Sequence, residues 1–93
     1  MTGTTRSSDG LDARRRKLLF RSWHRGMREM DLILGSFADA EIATLTDAEI
    51  DQYEQLLEIP DTVLLPQVTG EAPVSQDDAI LNRILAFRRS MTF

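Results

Sequence analysis

The sequence predicts an all-α protein, one domain of four or five helices joined by short connections. Apolar residues recur every three or four positions in several separate stretches, and residues that end or begin helices stand between those stretches. No stretch alternates polar and apolar residues over the length of a strand, and the one β-like segment, "DTVLLPQVTG", is divided by its proline. A chain of 93 residues is one domain by length.

The first helix is predicted over residues 11–24, after a small, polar segment (residues 1–10) that is expected to be a flexible tail. Leu19 and Trp23 lie four residues apart, and a run of basic residues supplies the solvent side. Gly26 follows as the terminator, because glycine adopts positive φ readily just beyond a helix end. The single helical domain is therefore expected over residues 11–90.

A second helix is expected to resume at about Met27. Its apolar stripe has helical spacing and consists of Met27, Met30, Leu34 and Phe37. Gly35 and Ser36 are expected to weaken this helix, since glycine costs about 1 kcal/mol relative to alanine inside a helix. Met30 is predicted to lie in the core.

Three further helices complete the prediction. "TDAE" begins the third with a capping box between Thr46 and Glu49. Pro60 ends that helix and is expected to serve as the first residue of a short fourth one. Ser75 with Asp78 is expected to open a last helix of about fifteen residues.

The composition argues against most kinds of catalytic site. There is no cysteine and only one histidine, His24, so neither a thiolate nucleophile nor a metal site of ordinary spacing is available. A catalytic triad could be composed of Ser22, His24 and an aspartate, but any chain with these residue types allows that, so the signal is very weak. No glycine-rich phosphate loop is present. We expect no catalytic residue, no bound metal and no enzyme activity, and no apolar run approaches the ~20 residues of a membrane span.

Charge is distributed unevenly along the chain, whose net charge is −4. Residues 1–30 have a net charge of +5 and residues 31–82 one of −12, and the three arginines after residue 82 contribute +3. The basic run 14–17 can bind nucleic acid through phosphates, but four consecutive residues circle a helix, so a solvated face or one docked on an acidic partner is favoured. The acidic residues of the third helix are expected to form a solvated face: Asp47, Glu49, Asp51, Glu54 and Glu58.

The segment "SWHRGMREMDL" allows two interpretations. The first is a helix end in a charged turn, in which Arg25 and Glu29, four residues apart, pair locally for about 0.3–0.5 kcal/mol if helical geometry continues. In the second, Gly26 also leaves the backbone uncovered, so that a partner can approach closely between Arg25 and Glu29. The residues alone do not decide between the two.

The same region resembles the SdhE-type succinate dehydrogenase assembly factors. The resemblance lies in "LLFRSWHRGMREMDLILGSFA", which contains the family's Arg-Gly-x-x-Glu motif at residues 25–29, and in "YEQLLEIPD" further on. It extends over roughly residues 14–87. The chain departs from the family in the short fourth helix, where many members have a tryptophan and this chain has "TVLLPQ".

This resemblance implies a compact five-helix bundle and an assembly function. The protein is expected to bind the immature flavoprotein subunit of succinate dehydrogenase, or that of fumarate reductase, and to promote covalent attachment of FAD. The flavoprotein's own histidine makes the bond, so FAD belongs to the partner and no cofactor is expected on this chain. The expected partner-binding residues are Arg25, Gly26 and Glu29 at the centre, flanked by His24, Arg28 and Asp31.

The remaining expectations concern location and alternatives. A monomer in the bacterial cytoplasm, or in the mitochondrial matrix of a eukaryote, is expected, with neither nucleic acid nor membrane as a partner. Two alternative functions are a small regulatory or antitoxin-like protein that binds another protein, and a nucleic-acid-binding module that uses the basic first helix.

Overall fold

The computed structural model describes residues 10–91, which form five helices. These are α1 (Ala13–Trp23), α2 (Arg28–Glu41), α3 (Asp47–Leu57), α4 (Asp61–Val68) and α5 (Ala79–Arg89). The described part of the chain contains no strand, so the all-α prediction and the five-helix bundle are confirmed. The tail expected at residues 1–10 falls, except for Gly10, outside the described residues. None of the five helices is both long and apolar enough to cross a membrane.

The core is built around α2, which contacts α1, α4 and α5. Met30 is fully buried, as predicted, and Trp23 is also buried, with 7% of its surface exposed. The ring of Phe37 packs against the rings of Tyr53 and Phe87, with centroid distances of 5.6 and 5.8 Å. The helical stripes found in the sequence therefore converge on one core.

Gly35 does not weaken α2, contrary to the prediction. The helix continues through it to Glu41, and the indole ring of Trp23 from α1 packs directly against the Gly35 backbone. A Cβ placed on Gly35 would lie 2.2 Å from Cδ2 of Trp23, so no other residue leaves room for the indole ring. The packing of this ring against the backbone outweighs the low helix propensity of glycine.

The predicted helix starts were partly right. The capping box is confirmed: Thr46 Oγ1 accepts from the Glu49 amide at 3.2 Å, and Glu49 accepts from the Thr46 amide at 2.8 Å. The last helix is shorter than expected, 11 residues, because the Asp78 side chain caps it by accepting from the Leu81 amide. Pro60 is the N-cap of α4 and precedes its first residue.

Ion pairs join the basic first helix to the acidic third helix. Arg14 pairs with Asp51 and Glu54, and Arg21 pairs with Glu58 at 2.6 Å. The pairing lowers the pKa of Glu54, chiefly through the hydrogen bond from Arg14. The acidic face is solvated, as predicted, at Asp47, Asp51 and Glu58, and the prediction missed its ion pairs with the first helix.

Arg83 of α5 extends this arrangement to the other side of α3. Its guanidinium lies 2.8 Å from Glu49 and 2.7 Å from Glu41. The pKa of Glu49 is lowered first by the backbone hydrogen bond from Thr46 and then by the charge of Arg83. Much of the charge asymmetry of the sequence is thus neutralised within the fold.

Candidate partner-binding site

The turn between α1 and α2 is a short segment whose backbone is open to solvent. Gly26 has φ +93°, and a Cβ placed there would have no atom within 4 Å. The predicted positive φ of Gly26 is confirmed, but α1 already ends at Trp23 with His24 as its C-cap, so Gly26 lies two residues beyond the cap. Met27 follows in an extended conformation as the N-cap of α2, and no side chain caps that helix.

Arg25 is directed inward from this turn. Its Nε donates to Asp61 at 2.6 Å, and its two terminal nitrogens donate to the carbonyl oxygens of Leu57 and Ile59 at 2.9 and 2.7 Å. Only 11% of the Arg25 side chain is exposed. The residue therefore ties the turn to the connection between α3 and α4, where the last carbonyls of α3 would otherwise lack partners.

Asp31 also acts within the fold. Its side chain accepts from the Arg25 amide at 2.8 Å, which closes the turn from the α2 side. The local pair between Arg25 and Glu29, one of the two interpretations above, does not form. Because Gly26 breaks the helical spacing, Arg25 reaches Asp61 instead.

The other four predicted site residues face outward. Gly26, Arg28 and Glu29 are exposed, and neither charged side chain has an ion pair within residues 10–91. His24 is exposed and donates from Nδ1 to the Phe20 carbonyl at 2.7 Å, so its ring is fixed. The Phe20 ring stacks on it at 4.0 Å and stays 63% exposed.

A groove of about 340 Å³ lies between α2 and α5, next to the turn that joins α1 to α2. Leu32 and Ile33 form its apolar wall, while Arg28, Glu29 and Arg88 supply its charges. The structure thus places two predicted residues, Arg28 and Glu29, beside a feature that the sequence did not reveal. Phe20, Asp61 and Arg88 were not among the predicted site residues.

The described residues show no assembled catalytic group. Ser22 is buried, donates to the Leu18 carbonyl and lies 2.5 Å from the Tyr53 hydroxyl, whereas His24 is on the surface, so the two are not brought together. Burial raises the pKa of Tyr53, which keeps its hydroxyl neutral. Between residues 10 and 91, no three histidine or carboxylate side chains are grouped so as to hold a metal ion.

Comparison with known proteins identifies the family. The profile of a family described as the flavinator of succinate dehydrogenase matches residues 16–88. The chain belongs to this family. The flavinator-family relatives include the FAD assembly factor SdhE of Acetobacter pasteurianus, which is 40% identical over 73 residues, 78% of this chain and 67% of the relative.

Mitochondrial members of the flavinator family are similar as well. Succinate dehydrogenase assembly factor 2 of Dictyostelium discoideum is 39% identical over 67 residues, 72% of this chain and 48% of the relative. The corresponding protein of Mycosarcoma maydis is 33% identical over 69 residues, 74% of this chain and 29% of the relative. The chain therefore spans about half or less of these mitochondrial proteins. No solved structure gives a significant match.

Proposed function

We propose that this protein binds the immature flavoprotein subunit of succinate dehydrogenase and promotes covalent attachment of FAD to it. Membership of the flavinator family is the observation that carries this proposal. The proposal extends to the flavoprotein subunit of fumarate reductase, for which we expect the same role. The protein acts as a monomer and as a chaperone rather than as an enzyme, in the cytoplasm of a bacterium or in the mitochondrial matrix.

The turn between α1 and α2 supports a role in protein binding. Gly26 exposes bare backbone, and His24, Arg28 and Glu29 surround it with groups that can donate or accept hydrogen bonds. Arg25 and Asp31 hold this backbone in place from inside. A rigid surface loses little conformational entropy when a partner binds, which favours affinity.

The basic first helix supports a protein partner over nucleic acid. Arg14 and Arg21 are engaged by carboxylates of α3, and Arg15 donates to the carbonyl oxygens of Ile42 and Leu45. A phosphate backbone would have to compete with these internal partners. We accordingly propose neither nucleic acid nor a membrane as the target.

The proposed mechanism is conformational. The flavin and the histidine that bonds to it would both belong to the partner. The present chain contributes a surface that packs on the partner and favours the arrangement in which those groups meet, which shifts the population of the flavoprotein towards the competent state. Gly26 acts by allowing close approach, and Glu29 and Arg28 by fixing the orientation.

Replacing Gly26 with arginine tests this mechanism. The Gly26→Arg side chain occupies the space where the partner approaches, so we expect flavinylation to be lost while the fold is kept. Covalent flavin is measured by in-gel fluorescence of the flavoprotein subunit from cells with the wild-type protein, with the variant, or with neither. Equal covalent flavin in all three would refute the proposed function.

Gly70 offers a matched control. It also has positive φ (+85°), and a Cβ placed there would have no atom within 4 Å, but it lies just beyond α4. Gly70→Arg therefore carries a similar backbone strain, of order 1–2 kcal/mol, without changing the turn between α1 and α2. Normal flavinylation is expected with this control. Equal loss in both variants would attribute the effect to strain rather than to close approach.

A further inference from the structure

We infer that the groove between α2 and α5 is a carboxylate-binding site, which accepts an acidic side chain of the protein partner. This inference rests on the proposed function for the identity of the partner. The groove adjoins the bare backbone at Gly26 and shares Arg28 and Glu29 with that site, and the inference adds a binding role for Arg88, a residue outside the predicted site.

The first argument is an unsatisfied donor. Nε of Arg88 is buried at the groove and has no hydrogen-bond partner within residues 10–91. A guanidinium does not lose its proton in proteins, and a buried donor left without an acceptor is destabilising. The largely buried guanidinium of Arg25, in contrast, has an acceptor for each of its three nitrogens. Arg88 thus lines the groove with a buried Nε that no group of the described chain satisfies, and a carboxylate that enters the groove supplies an acceptor when the guanidinium turns towards it.

The second argument is charge. Arg28 and Arg88 bring two positive charges to the groove, Glu29 brings one negative charge, and none of the three has an ion pair in the described chain. The N-terminus of α2 also lies here without a capping side chain, and its partial positive charge favours an anion. The net charge of the groove therefore suits a singly charged carboxylate, while Glu29 disfavours a dianionic phosphate.

The third argument is the shape and lining of the groove. Leu32 and Ile33 line it beside the arginines, and Leu32 is only partly buried by the core. An aspartate or glutamate side chain has methylene carbon next to its carboxylate, so it matches an apolar wall beside a cationic end. An arginine fork binds the two carboxylate oxygens with defined geometry. The groove thus fits an acidic side chain of a protein better than a free inorganic anion.

The affinity of the purified flavoprotein subunit, without covalent flavin, tests the inference. We expect Arg88→Met to bind about tenfold more weakly or worse, since a charge-assisted hydrogen bond is lost. Arg88→Lys keeps the charge but loses the Nε donor, so a partial loss is expected. Arg89→Met is the matched control, because Arg89 is the exposed neighbour in the same last turn, and it should bind within about twofold of wild type.

The outcomes separate this inference from the proposed function. If wild type binds and Arg88→Met binds equally well, the groove inference is wrong and the proposed function stands. If wild type does not bind the subunit, both fail. Arg88→Met should unfold at the same temperature as wild type or at a higher one, because the variant loses no hydrogen bond of Nε and removes a buried donor that lacks an acceptor. A variant that unfolds at a clearly lower temperature would show Arg88 to be structural, and would overturn the inference.

A second experiment needs no flavoprotein. Sodium propionate, a carboxylate with a short apolar tail, is titrated while the arginine Nε–H resonances are followed by NMR, with sodium chloride at equal ionic strength as the reference. We expect a saturable shift of the Arg88 resonance with propionate and none for Arg89. A response to inorganic phosphate larger than that to propionate, or the same response to propionate and chloride, would contradict a carboxylate site.

Discussion

Arg25, the first residue of the Arg-Gly-x-x-Glu motif, is expected to be essential for stability. Arg25→Met removes the charge and the donors but keeps most of the aliphatic stem. It leaves Asp61 without its cation and the carbonyl oxygens of Leu57 and Ile59 without this donor. Breaking a buried ion pair costs about 3–5 kcal/mol. Because 23% of the Asp61 side chain is exposed and can be rehydrated, we expect about 2–3 kcal/mol here.

Urea unfolding followed by circular dichroism at neutral pH measures this loss. For a domain of this size it corresponds to a fall in Tm of about 10–20 °C. Arg28→Met is the control, since Arg28 lies three residues away, is exposed, and has no ion pair in the described chain; its change should stay within about 0.5 kcal/mol. If the two variants unfold alike, the hydrogen bonds of Arg25 contribute nothing net and the reasoning fails.

Two further predictions concern packing and acid stability. Gly35→Ala should destabilise the protein by about 1–3 kcal/mol, because the added methyl group overlaps the Trp23 ring. Ser36→Ala is the control and should leave Tm nearly unchanged. Equal melting temperatures for the two variants would contradict the close packing. Glu49 has a folded pKa below its ordinary 4.5, mainly through the Thr46 amide, so its stabilisation is present above pH 4.5 and is lost as the pH falls through the folded value. Glu49→Gln should therefore show a smaller drop in urea midpoint between pH 7 and 3 than wild type, and parallel curves would contradict this assignment.

Local sequence signals were sufficient to predict the helices but not the contact between α1 and α2 at Gly35. The capping box at Thr46 and the apolar stripe through Met30 depend on residues a few positions apart, so the sequence alone predicted both. The effect of Gly35 depends on Trp23, twelve positions away, and propensity gave the opposite answer. The last helix was predicted too long, because Ser75 Oγ accepts from the Asp77 amide in a turn and Asp78 caps the helix three residues later.

The candidate site could be predicted only in part for the same reason. Positive φ at Gly26 follows from its position after an amphipathic helix, and that prediction was right. The inward direction of Arg25 depends on Asp61, 36 residues later, and no local pattern indicates it. The groove requires α5 to lie beside α2, so Arg88 could not be singled out. The partner-binding role of the predicted residues stays a prediction.

The polarity of α5 has a consequence for how a partner first meets this protein. Its N-terminus is capped by Asp78 beside Asp77, and its last turn carries Arg88 and Arg89, so opposite charges stand about 15 Å apart along one axis. A helix favours negative charges at its N-terminus and positive charges at its C-terminus, and α5 has both. The separated charges give this part of the molecule an electric dipole. In the field of an acidic surface, such a molecule turns its arginine end forward before contact. Because the whole chain carries a net charge of −4, an acidic surface also repels it, so the charges of α5 set the orientation of the encounter rather than its speed.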